Sequence, residues 1–129
     1  MTQTLVQQDG AQATPGDDIP ISVPSGQLVT LQDVVWNAQG VAGLTLRFRF
    51  VAPGIAPGKT VDFETASADM LALCQTYAIP RMADFGPQVQ QIIISLADRA
   101  VAFGASEPDA TQFFEAYRVE GETCIWEIY

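Results

Sequence analysis

The chain has no histidine. That removes the usual general base near neutral pH, the commonest transition-metal ligand and the usual pH switch together. Its two cysteines, Cys74 and Cys124, are far apart. With no Cys-x-x-Cys spacing, neither a redox dithiol motif nor a cysteine-rich metal site is available. No apolar run approaches the ~20 residues that a membrane-spanning helix needs. Basic residues are scarce, six Lys and Arg against 15 Asp and Glu, giving a net charge of −9. Such a surface opposes binding to nucleic acid or to an anionic membrane. No Gly-rich phosphate loop and no HExxH helix is present, and a Ser-His-Asp set is impossible. No cofactor, no metal cluster and no catalytic residue is therefore expected.

What remains is a globular composition, 48% hydrophobic and 16% charged over 129 residues. One domain is the expected count, and a chain of this length buries roughly two thirds of its unfolded surface. Residues 1–20, rich in Gln, Thr, Gly and Asp without periodicity, read as a flexible tail preceding a single domain over 21–129. The opening residues show no positively charged start followed by an apolar stretch, so no signal peptide is visible. A turn is expected at Pro24, Ser25 and Gly26, with a short strand before it and a strand or single helical turn over 31–36. A loop follows over 37–43.

The clearest strand is LTLRFRF. Leu44, Leu46, Phe48 and Phe50 alternate with Thr45, Arg47 and Arg49, placing apolar and polar residues on opposite faces. Pro53-Gly54 and Pro57-Gly58 bracket a loop, and 60–63 reads as a short strand. A helix over 65–78 places Met70, Leu73, Cys74 and Tyr77 on one stripe. Thr65 or Ser67 is positioned to cap it, Asp69 suits its first turn, and Pro80 stops it. The β-branched run Ile92-Ile93-Ile94 marks a central strand over 90–97. A further short strand is expected over 100–103.

The chain ends in a hairpin with arms 113–120 and 123–129. Gly121 at the first central position suits a type II′ turn. A two-residue turn sets Val119 opposite Cys124, Tyr117 opposite Trp126 and Glu115 opposite Ile128. Phe113, Glu115, Tyr117, Val119, Cys124, Trp126 and Ile128 then share one face, pointing at the core. Strands, one helix and strands again predict an α+β fold: a mostly antiparallel sheet of about five strands with one helix on a face.

Cys74 on the helix stripe and Cys124 on the strand's core face point into the same core from opposite layers. Two readings follow: buried thiols acting as small hydrophobes, or a disulfide pinning helix to strand. The disulfide is the one carried forward. Asp62 with Glu64, and Glu120 with Glu122, read as solvated acidic surface lacking the ligand spacing of a calcium loop. Glu115 is the single carboxylate that counts onto the core face. It can reach solvent near the chain end, or accept from Arg47, Arg49 or Arg99; buried, it is the first place to look for a site. Arg81 follows the helix and is placed to cap its carbonyl end, with anion binding as the sharper alternative. Arg47 and Arg49 read as a solvated strand face. Trp36 sits early in the chain, open to exposure. Glu115, Arg81 and Trp36 are thus the candidate binding residues.

The stretches VPSGQLVTLQDVVWN, LTLRFRFVAP, VDFETASADMLALCQTYAIPR and ATQFFEAYRVEGETCIWEIY cover most of residues 23–129. They resemble a small uncharacterised bacterial family of about this length, often carried under the label acetolactate synthase, many of whose members begin with an export leader. The resemblance implies an exported, periplasmic domain, with a cytoplasmic one as the alternative. The enzyme label conflicts with the size of the chain, because that chemistry needs thiamine diphosphate, its metal site and a multidomain scaffold. A regulatory subunit of that enzyme, a βαββαβ domain, would need a second helix. The expected function is therefore a non-catalytic accessory or binding module acting through a protein partner. The alternative is a small-molecule-binding or catalytic domain using carboxylates and arginines.

Overall fold

A computed structural model describes residues 12–37, 44–86 and 89–127. Among the described residues six strands form one sheet: β1 (Gln12–Pro15), β2 (Thr30–Asn37), β3 (Leu44–Val51), β4 (Val89–Ala97), β5 (Gln112–Glu120) and β6 (Thr123–Glu127). They lie in sequence order across the sheet. Neighbours are antiparallel except β3 and β4, which run parallel. Parallel neighbours need a crossover, and the helix α1 (Phe63–Leu73) lies in it. The α+β architecture with a helix on one face is the one expected, with six strands where about five were predicted.

The alternation of β3 is realised throughout: Leu46, Phe48 and Phe50 are buried, and the residues between them are half-buried. Beside them Ile92, Ile94 and Leu96 of the central β4 are fully enclosed, as is Tyr117 of β5. Ala66, Met70, Leu73 and Cys74 close this core from the helix side. Tyr77 stands edge-on to both Phe48 and Phe50. In the terminal hairpin Val119 opposes Cys124 and Tyr117 opposes Trp126, the predicted register. Gly121 has φ of 62°, while Glu122 is not in the positive-φ region, which matches a type II′ turn. The expected Glu115–Ile128 pairing falls outside the described residues, as do 1–11 of the tail and 38–43 of the loop.

Several local expectations change. Within the stretch read as a tail, Gln12–Pro15 pairs with β2 as an exposed edge strand. Its pairing is made by backbone, so no apolar alternation marks it. Gly16 follows because a Cβ there would meet the Leu31 carbonyl oxygen at 1.9 Å. Neither 21–23 nor 60–63 is a strand. The latter is the approach to the helix, which begins two residues earlier than predicted. Asp62, in extended backbone, is the N-cap, its carboxylate accepting from Thr65 N–H at 2.9 Å, so Thr65 and Ser67 are not the cap. Residues 100–103 are loop rather than strand, tied back by mutual hydrogen bonds between the Gln32 side chain and the Val101 backbone.

Pro80 does not stop the helix. After α1 the chain makes a π turn over Cys74–Ala78 and a further α turn over Ile79–Arg81. The wider turn shifts the hydrogen-bond register. Pro80 then falls in the first turn of the next piece, where no N–H is required of it.

Candidate functional site

The disulfide between Cys74 and Cys124 is formed, with Cα atoms 6.3 Å apart. Gln75 reinforces it: its side-chain oxygen accepts from Cys124 N–H at 2.6 Å. The end of the helix is thereby fastened to the start of β6. At its other end α1 meets β5, with Phe63 edge-on to Phe113 at 5.1 Å. The helix therefore spans from β5 to β6 and leaves a cleft along its flank, over β5 and the edge strand β6.

This cleft, of about 390 Å³, is walled by Phe63, Leu71 and Trp126 and floored by Glu115, Tyr117 and Ser67. Phe63, Leu71 and Trp126 are 48%, 44% and 56% exposed, large values for apolar side chains gathered at one place. Trp126 lies on the helix face of β6, the predicted face, but it is not in the core. It stands on an edge strand, beyond the cover of the helix.

Glu115 is buried, and neither expected fate holds: it does not reach solvent, and no arginine reaches it. One carboxylate oxygen accepts from Trp126 Nε1 at 2.6 Å and the other from Ser67 Oγ at 3.1 Å. Arg47 and Arg49 lie on the opposite sheet face, and Arg99 pairs with Asp98. Both oxygens of Glu115 are thus spent on holding an exposed indole in one pose.

The other two predicted residues stand elsewhere. Arg81 donates to the Tyr77 carbonyl at 3.0 Å and stacks on the Tyr77 ring, but it does so from within the continuing helical path and not from beyond a helix end, as was expected. Trp36, near the end of β2, is partly buried and packs edge-on against Phe85. Its indole N–H is buried with no hydrogen-bond partner among the described residues. Nothing joins these two to Glu115. The residues that do join it lie on two other elements, Phe63, Ser67 and Leu71 on α1 and Trp126 on β6. Only the i, i+4 spacing of Phe63, Ser67 and Leu71 along the helix shows that three of them share a flank.

Tyr117 lies beneath the cleft, and its phenol is pushed well above its ordinary range by burial, with the Glu115 carboxylate adding. The native state therefore holds the Tyr117 proton at pH values where the unfolded chain releases it, above about 10. Stability is full below that pH and falls as pH rises above it. Urea unfolding between pH 9 and 11.5 should show the decline, and Tyr117→Phe should flatten it by close to one proton. An unchanged slope in the variant would mean that Tyr117 ionises freely in the folded protein.

Among the described residues no group of three or more His, Cys, Asp or Glu is placed to hold a metal ion. No helix among them is long and apolar enough to cross a membrane. The chain belongs to DUF6497, a family of unknown function. The family model matches residues 3–129, which takes in every strand, the helix and both walls of the cleft. No curated protein and no solved structure matches the chain. Membership in DUF6497 carries no activity with it, so function rests on the cleft itself.

Proposed function

We propose that the protein is a non-catalytic binding module of an exported protein, and that the Phe63–Leu71–Trp126 cleft takes an apolar segment of a partner protein. One observation carries this reading: Trp126 is more than half exposed yet fixed by a hydrogen bond to a buried carboxylate. A tryptophan exposed by chance would be free to fold down over neighbouring apolar surface. One held upright by Glu115 has its ordering cost already met in the free protein, which favours binding. Aromatic side chains so placed are the usual centres of protein interfaces. The net charge of −9, with Glu64 at the rim, favours a segment flanked by basic residues. The disulfide supports an oxidising, exported setting. The catalytic alternative has less support, because both Glu115 oxygens accept hydrogen bonds that position Ser67 and Trp126.

Selection of a displayed peptide library on the oxidised protein tests the cleft. Enriched peptides should carry one or two large apolar residues beside Lys or Arg, and should bind more weakly at high salt. Trp126→Ala should weaken them at least ~30-fold, the range of an interface hot spot. Leu71→Asp should act in the same direction. Leu28→Ser, at an exposed apolar residue outside the cleft, should not. Peptides that bind Trp126→Ala as well as wild type would refute the reading.

A further inference from the structure

The face of the sheet opposite α1 holds a second arrangement, independent of the cleft. All five arginines are described, and three are paired with a carboxylate. Arg49, Arg99 and Arg118 pair with Asp33, Asp98 and Glu120, while Arg81, exposed to solvent, donates to a backbone carbonyl. Arg47 has neither a carboxylate nor full exposure to water. Its guanidinium donates through Nη1 to Ser95 Oγ at 2.8 Å and has Phe114 at 5.7 Å, but among the described residues no carboxylate meets it. It is half-buried, in the middle of the sheet, in a chain with 15 acids. The expectation that Arg47 and Arg49 form a solvated face is thus overturned. The 98–105 loop folds over this end of the sheet and sets Phe103 over Arg49 at 5.3 Å.

Beneath that loop is a pocket of about 160 Å³, lined by Arg47, Arg49, Ser95, Gln112, Val101 and Phe103. Arg49 is neutralised there by Asp33 through two hydrogen bonds, at 2.7 and 2.8 Å. The local balance is therefore a single positive charge on Arg47. Burial first, and the adjacent Arg49 second, pull the Arg47 guanidinium below its ordinary range, the signature of a cation short of a counter-ion. A half-buried, unneutralised charge costs stability unless something pairs with it.

We infer that this pocket is a binding site for a small monocarboxylate, taken by Arg47. Three features select that class. The guanidinium edge not used by Ser95 presents two parallel N–H groups, which match a planar carboxylate. One uncompensated positive charge matches a monoanion, and a phosphate dianion would leave excess negative charge in an already acidic protein. The volume is that of about five waters at ~30 Å³ each, enough for a carboxylate with a short aliphatic body against Val101 and Phe103.

The test is a titration of the oxidised full chain with butyrate, with chloride holding ionic strength constant, read by the Arg47 side-chain N–H resonance and by melting temperature. Expected are a saturable shift of that resonance and a ligand-dependent rise in melting temperature. Arg47→Gln should weaken binding at least tenfold while leaving the ligand-free melting temperature unchanged or higher, because it removes an unpaired charge. A merely structural arginine would lower it. Arg47→Lys keeps the charge, loses the fork and should weaken binding by a smaller factor; it stands in if Arg47→Gln does not fold. Trp126→Ala should leave butyrate binding intact, which separates this site from the cleft. Shifts that chloride reproduces, binding that survives Arg47→Gln, or phosphate binding more tightly than butyrate would each overturn the inference.

Discussion

Removing the Cys74–Cys124 disulfide is expected to be among the most damaging changes to this protein, lowering its melting temperature by roughly 15 °C. The bridge closes a loop with a sequence separation of 50 residues. In the chain-entropy model a loop of that length restricts the unfolded ensemble enough to stabilise the native state by about 4 kcal/mol. With an unfolding entropy of about 2.1 cal/mol/K per residue, that figure converts to the stated drop. A typical domain has a total stability of only ~5–15 kcal/mol, so the reduced protein retains little margin.

The loss should not be spread evenly. Gln75 accepts from Cys124 N–H beside the bridge, and Trp126 lies two residues further along β6. Hydrogen exchange after reduction should rise first in β6 and in the π turn over Cys74–Ala78, before the central strands. Peptide binding at the Trp126 cleft should weaken under reduction although no cleft residue has changed. Melting with and without reductant, together with the Cys74→Ala, Cys124→Ala double variant, provides the check. A melting temperature within a few degrees in both would show that Gln75 and packing alone hold helix to hairpin. Thiol titration of unfolded, unreduced protein recovered from its native compartment tests the setting: two free thiols would contradict the exported reading.

What the sequence makes legible here follows from where local rules act alone. The alternation in LTLRFRF requires a strand with one covered face, and β3 is that strand. The two-residue turn at Gly121 fixes the hairpin register, because a slip of one residue would send Tyr117 and Cys124 to the solvent side. The face of each residue is therefore readable; what covers that face is not. Trp126 counts onto the core face and is exposed because it stands on the edge strand, beside the helix and not beneath it. Arg47 counts onto the open face and is half-buried because a loop about 50 residues later folds back over it. The pairing of Glu115 with Ser67 and Trp126 joins three elements, and no spacing along one element shows it. Pro80 misleads for a related reason. Its usual effect presumes an unbroken α register, and the π turn before it changes that register.

Asp69 shows the same limit, and its replacement is the other change expected to be severe. Asp69 lies three residues after Ala66 and four before Leu73, both fully buried, so helical spacing alone puts it on the buried stripe. Its place early in the helix favours a dipole role at the surface, which is the reading the structure corrects: its side chain is 0% exposed. One oxygen accepts from Ser25 N–H at 3.0 Å. The other accepts from Ser25 Oγ at 2.6 Å and Gln27 Nε2 at 2.7 Å. This carboxylate holds the Pro24-Ser25-Gly26 turn against the helix, and with it the approach to Val29, which is fully enclosed. Asp69→Ala leaves three donors without an acceptor at a buried position, and the expected cost is about 3–5 kcal/mol. Asp69→Asn should cost less, about 1–2 kcal/mol. The Ser25 N–H keeps its acceptor in that variant. A flip of Gln27 would present its oxygen, buried with no partner among the described residues, to the new amide. Ser25→Ala should be milder than Asp69→Ala, and the two should be strongly non-additive, since the second change removes a bond already lost. Urea unfolding of the two singles and the double measures this coupling. Exchange of the Ser25 amide should accelerate in Asp69→Ala while β4 amides remain protected up to global unfolding. Additive costs, or a Ser25 amide as protected as in wild type, would show that the turn stands without the carboxylate.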